Sequence, residues 1–174
     1  IKLKTDYQLL DLLNQEYLEA DWSEDAGKLL RVIALVKDRL KKLADFKDLA
    51  RMFFTLPEYQ KELLVWKKSN AEGARAMLTE VKKMLEEIPE NEFHKNRVEA
   101  LIMPFAEIKA QGAGGRGEVL WPLRVALSGS QASPGPFEIL DALGKVESLA
   151  RIEVAINKLA TQHDDPAVGG VIML

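Results

Sequence analysis

Between residues 28 and 46 the apolar side chains Leu29, Val32, Ile33, Val36, Leu40, Leu43 and Phe46 recur at steps of three and four. At about 100° of turn per residue that spacing lays them along one stripe of an α-helix, with Lys37, Asp38 and Lys41 away from its centre. A helical period also runs through 6–19, by way of Leu9, Leu10, Leu12, Leu13, Tyr17 and Leu18. Residues 71–88, 91–110 and 146–160 read as helix too. No stretch alternates apolar and polar residues long enough for a convincing strand. The expected fold is therefore all-α, made of many short helices.

Punctuation marks the ends of these helices. Ser23, followed by Glu24 and Asp25, reads as a helix start. The helix over 46–55 should stop before Pro57. One more helix is expected over 58–66, ending at Trp66. Pro89 closes the next, and Pro104 is expected to kink 91–110 or to start a new piece. The run QGAGGRG at 111–117 is the clearest loop. Beyond it, 118–128 can hold Pro122 only in a first turn. Ser133 and Pro134 read as N-cap and first helical residue, and Gly144 as a C-terminal cap. A shift of composition at Ser69–Asn70 divides the chain into helical subdomains 23–70 and 71–162, preceded by a linker helix in 1–22 and followed by a tail at 163–174.

Composition narrows the chemistry. With 47% apolar residues and a mean hydropathy of −0.12, the 174-residue chain can bury a core. No apolar run reaches the roughly 18–20 residues of a membrane span. There is no Cys, and His94 and His163 are too far apart in sequence to pair as helix-spaced metal ligands. The opening IKLKTDYQLL has no signal-peptide pattern, so a cytoplasmic, monomeric protein is expected. Net charge is −3, yet 26–51 carries Lys28, Arg31, Lys37, Arg39, Lys41, Lys42, Lys47 and Arg51 against only Asp38, Asp45 and Asp48. That stretch is the first place to look for a polyanion.

Most reactive-looking groups have a plain reading. The acidic run Glu86, Glu87, Glu90 and Glu92 is a solvated face. Ser128, Ser130 and Ser133 have no following His before the tail, so a nucleophile triad is unsupported. His94 is a surface or capping residue. The glycine run fits neither phosphate-loop pattern, although Arg116 within it could meet a phosphate. Two sites stay open between structural and functional readings. Arg39 falls beside the line of Val32 and Val36, where it either snorkels or offers its guanidinium to a partner. In 120–145, Gly129, Pro134, Gly135 and Pro136 stiffen a loop beside Trp121 and Arg124. Such a loop is either a rigid turn or a surface that stacks and hydrogen-bonds unpaired bases.

The segments LWPLRVALSG, SPGPFEIL and LGK resemble the C-terminal signature of bacterial-type glutamyl-tRNA synthetases. VKDRLKKLADFKDLARMFF and LLNQEYL are similar to earlier parts of the same family, so the likeness runs from about Leu9 to Leu159. The resemblance implies the anticodon-binding portion alone, two helical subdomains forming a cage-like bundle. The Rossmann catalytic domain, with its ATP, Mg²⁺ and glutamate sites, would lie upstream, so no catalytic residue and no cofactor or metal is expected here. Arg39 matches the position whose Arg reads the third anticodon base. Some relatives that charge both glutamate and glutamine tRNAs have Gln there, so Arg39 implies a discriminating enzyme. Arg124, Ser133, Pro134 and Pro136 match positions around the other two bases. Trp121 stands at a position that varies in the family. From charge alone, Lys37, Lys41, Lys42 and Arg116 are expected phosphate contacts. The expected partners are the anticodon stem-loop of a glutamate tRNA and the catalytic domain. A rival reading is a helical scaffold that binds a protein through an apolar groove.

Overall fold

The structure is a computed structural model that describes residues 4–13, 17–112 and 114–160. Among these residues there are eight α-helices and no strand. The tail, His163 included, and the stretch 14–16 of the opening segment lie outside them.

Helix α1, Asp6–Leu12, starts at a capping box in which Thr5 Oγ1 accepts from Gln8 N and Thr5 N donates to Gln8 Oε1. It is shorter than the expected 6–19, because Leu13 is already extended. A 3-10 turn at Ala20–Ser23 then buries Trp22, which stacks on Phe54 at 4.6 Å. Helix α2, Ala26–Val36, is capped by Asp25, whose Oδ1 accepts from Lys28 N, and not by Ser23.

The apolar stripe of 28–46 is not one helix. Leu29, Val32, Ile33 and Val36 bury the inner face of α2, which gives way to a 3-10 turn at Lys37–Arg39 and an extended Leu40. Asp45 Oδ2 accepts from both Lys41 N and Lys42 N, satisfying donors that a continuing helix would have paired. Helix α3, Asp45–Phe54, then starts afresh and buries Phe46, Ala50 and Phe53. Arg39 consequently stands on an exposed turn and not at the edge of a helical stripe. In place of a helix over 58–66 there is a single 3-10 turn, Lys61–Leu64.

Helix α4, Ala71–Glu86, buries Ala74, Leu78, Val81 and Leu85 from an Asn70 cap. His94 caps α5, Lys95–Lys109, its Nδ1 accepting from Arg97 N. Pro104 sits inside α5 without dividing it. Helix α6, Gly117–Ser128, carries Pro122 beyond its first turn. That residue is buried, and its packing offsets the ladder bond its ring removes. The start of α7, Pro136–Leu143, is shifted from expectation. Gly135 is the N-cap and Pro136 the first residue, while Ser133 Oγ turns to Pro134 O. Two X-Pro pairs in SPGP fit the same start signal, and only the second has the helix behind it. Gly144, at φ +78°, ends α7, and α8 is Lys145–Ala160.

Helix α8 packs most extensively on α4, with α6 against both, and α7 touches α2, α3, α5, α6 and α8. One apolar cluster runs from Leu9 to Leu159. Arg151 of α8 is pushed through it, only 5% exposed. Its guanidinium donates to Met52 O and Phe53 O at the end of α3, and to Leu127 O at the end of α6, at 2.6, 3.1 and 2.7 Å. Glu147 pairs with Arg151 and also with Lys28 of α2. Burial lowers the Arg151 pKa from its ordinary value, and the Glu147 carboxylate works against that shift.

Candidate nucleic-acid interface

Two groups of expected site residues come to the surface in different places. The first is the turn after α2. Lys37 is held by Asp6, Nζ to Oδ1 at 2.8 Å, and this hydrogen bond raises its pKa. Arg39, Lys41 and Lys42 are exposed, and their side chains have no partner among the described residues. The Asp45 carboxylate fixes the backbone beneath the two lysines. The result is a rigid turn with uncommitted cations, the arrangement that suits phosphate or a base edge.

The second group surrounds α6. The Arg124 guanidinium lies over the Trp121 indole, 4.9 Å from its centroid. Arg124 Nη2 donates to Gln131 O at 3.0 Å, and Trp121 Nε1 donates to Leu63 O at 2.8 Å. The loop that follows is closed by its own serines. Ser128 Oγ donates to Arg124 O and Ser130 Oγ to Ala132 O, while Ser133, Pro134 and Pro136 are half-exposed. The structure therefore brings Arg124 and Trp121 together and ties them to the 130–136 loop. Arg116 stands apart at the N-cap of α6, about 12 Å along the axis from Arg124, with Glu107 at 3.7 Å. No hydrogen bond, ion pair or ring contact among the described residues joins the Arg39 turn to the Arg124 group.

Sequence reasoning missed Trp66 and Lys67. Trp66 meets Trp121 at 5.2 Å between centroids, and Lys67 Nζ lies 5.3 Å from the Trp66 ring. Each of the two touching indoles thus has a cation near its ring. The glycine run explains how this is possible. Trp66 Nε1 donates to Gly114 O, and a Cβ on Gly117 would fall 2.3 Å from the indole. The glycine-rich loop is a seat for Trp66. The signal available was WKK followed, some fifty residues on, by glycines, but nothing local says that the two meet.

Beside the Arg124 group opens a cleft of roughly 460 Å³ between the 58–63 segment and the 129–131 turn. Gly129, at φ +64°, makes it possible, since a Cβ there would lie 2.9 Å from Pro57 O and 3.2 Å from the Tyr59 ring. Burial, with Glu58 nearby, pushes the Tyr59 phenol up to about 12 against the opposing Arg151 charge. Tyr59 therefore stabilises the fold fully below its ordinary value of 10.0, and the contribution is lost as pH rises through about 12. An alkaline absorbance titration should show one phenol ionising only near 12. Tyr59→Phe should remove that step and flatten the loss of stability above pH 10.

Among the described residues no group of three or more His, Cys, Asp and Glu is placed to hold a metal. No described helix is long and apolar enough to cross a membrane.

The fold and these surfaces define an all-α domain that shows cationic and aromatic side chains at its helix ends and turns. The chain belongs to the anticodon binding domain family, whose model matches residues 8–156. It is 35% identical over 139 residues to a glutamate–tRNA ligase of Clostridium kluyveri, covering 78% of this chain and 28% of that one. The figures for the Moorella thermoacetica glutamate–tRNA ligase are 36% over 132 residues, 76% and 26%. The chain thus spans little more than a quarter of the length of these curated relatives. A solved glutamate tRNA ligase from Elizabethkingia meningosepticum shares the fold, with a TM-score of 0.70 and 23% identity over 91% of this chain and 30% of that one.

Proposed function

We propose that this chain is the anticodon-reading part of a glutamate–tRNA ligase and that its work is recognition. Family membership and the named relatives support the reading, and the single observation that carries it is the Arg124–Trp121 stack tied to Gln131. Arg39 and Arg124 would read bases, with the half-exposed loop of Ser133, Pro134 and Pro136 walling the same site. Lys41, Lys42 and Arg116 would meet phosphates, while Lys37 would first have to leave Asp6. Trp121 is already engaged by Trp66, Arg124 and Leu63, so its role is to carry the guanidinium, whose plane takes the base. Aminoacylation with ATP and Mg²⁺ would belong to a catalytic domain of the longer protein, as would the cytoplasmic setting of translation.

The test is fluorescence anisotropy of this chain with a hairpin carrying a glutamate anticodon, beside the same hairpin with its third anticodon base changed. Binding should weaken steeply as salt rises, because phosphate contacts release counterions. Arg39→Gln should cut the preference for the cognate third base about tenfold. The substitution touches an exposed side chain without partners and should leave the melting curve unchanged. Salt-insensitive binding, or an unchanged preference in Arg39→Gln, would overturn the assignment.

A further inference from the structure

We propose that Lys28 is a positioning residue for anticodon reading. Through Glu147 it locks α2, and with it the Arg39 turn, to the part of the core that carries the Arg124 group, so that the two sites keep one spacing. This rests on the anticodon-binding reading and deepens it.

The two sites have no direct tie, so their spacing is set beneath them. Arg39 stands on the turn that continues α2, and Arg124 lies near the end of α6. Helix α2 packs on α1, α3 and α7 and buries Leu29, Val32, Ile33 and Val36. Apolar contact is non-directional, and packed helices can slide past one another by small steps. An ion pair fixes the register. The Lys28 ammonium reaches Glu147 of α8, and Glu147 pairs in turn with Arg151, whose guanidinium holds the carbonyl ends of α3 and α6. One carboxylate thus joins the helix that presents Arg39 to the group that fixes the end of the helix bearing Arg124. The tie from Arg31 Nε to Ala142 O is weaker, at 3.4 Å.

Lys28 is committed inside the protein. Its side chain is only 12% exposed, and its Nζ also lies 5.1 Å from the Phe54 ring centroid. It therefore drops out of the cationic stretch 26–51 as a phosphate contact. Stability alone gives no reason for an ammonium there, because a well-packed apolar side chain of similar volume commonly does as well as a buried ion pair. What the pair adds is a unique arrangement of the helices it joins. That arrangement matters when one RNA loop must touch both sites. Its second contact is then intramolecular, and it is strong only while the spacing of the sites matches the span of the ligand.

The test is Lys28→Met in the full 174-residue chain, by anisotropy against the glutamate-anticodon hairpin and the hairpin changed at its third anticodon base. Methionine fills the volume and Glu147 keeps Arg151, so the melting curve should hardly move. Affinity for the cognate hairpin should fall about tenfold, and the third-base preference should shrink with it, although Lys28 touches no RNA. The slope of log affinity on log salt should stay as it is, whereas loss of a phosphate contact lowers it by about one. Adding Arg39→Gln to Lys28→Met should cost little further preference. Lys28→Arg, which keeps a charge for Glu147, should restore affinity and preference. A preference that survives Lys28→Met, a reduced salt slope, a loss that Lys28→Arg does not repair, or a fall in melting temperature large enough to account for the lost binding would each overturn the proposal. The wild-type background separates the two levels. If Arg39→Gln lowers the preference there and Lys28→Met does not, only the positioning role falls. If the hairpin does not bind, or Arg39→Gln leaves the preference unchanged, both fall.

Discussion

Replacing Arg151 by Met should cost about 3–5 kcal/mol of folding stability, at about 1–3 kcal/mol for each buried carbonyl left without its donor. The long side chain is nearly preserved, so the loss falls on the polar groups. Two buried carbonyls, of Phe53 and Leu127, and the part-buried carbonyl of Met52 would lose their donor, and Glu147 would keep only Lys28. For a domain of this size the melting temperature should fall by about 6–20 °C. Arg151→Lys should recover part of the loss, since one ammonium cannot serve carbonyls at the ends of both α3 and α6 as well as the carboxylate. Urea denaturation with an unchanged slope would attribute the effect to the native state. A loss below about 1 kcal/mol would place Arg151 in the class of exposed ion pairs and contradict its burial.

Gly117→Ala should be the next most damaging single change, at about 2–3 kcal/mol. A methyl there would lie within 2.6 Å of three indole atoms of Trp66, and a ring anchored through Nε1 to Gly114 O has little room to retreat. Alanine is otherwise a better helix former than glycine, so backbone preference alone would predict a stabilised α6. Sign therefore decides between the two effects. The double variant Gly117→Ala with Trp66→Leu should regain most of the loss, giving a large coupling in a double-mutant cycle. Purely additive effects would mean that the seat does not exist. Displacing Trp66 should also loosen the Trp121–Arg124 stack and weaken hairpin binding beyond the loss in stability.

How much of this was legible in the sequence depends on the range of the interaction. Helix content was readable because burial repeats every three or four residues, as in Ala74, Leu78, Val81 and Leu85. The break at residues 37–44 was not, because Leu40, Leu43 and Phe46 happen to keep the period across it. What ends α2 is Asp45 reaching back to two amides, a contact no periodicity reports. Arg39 and Arg124 stood out through the family motif, and His94 as a cap through its polar setting. The Trp66 contacts and the cleft stayed hidden because each is made by segments about fifty or more residues apart, and Lys67 stands out only once Trp66 is placed. The Ser133–Pro134 error has the opposite origin, a local signal that occurs twice within four residues.

The placement of the three tryptophans has an optical consequence. Trp22 is sealed beneath Phe54, while Trp66 and Trp121 form a close pair tilted by 44° at the edge of the Arg124 group. Light absorbed by the pair is shared between two coupled transition dipoles, whereas Trp22 emits as a steady, shielded background. Anything that settles on Arg124 perturbs the pair and leaves Trp22 untouched. The intrinsic emission, and the near-ultraviolet dichroism of the coupled rings, thus form a label-free gauge of occupancy at one face, with its internal standard built into the other end of the chain.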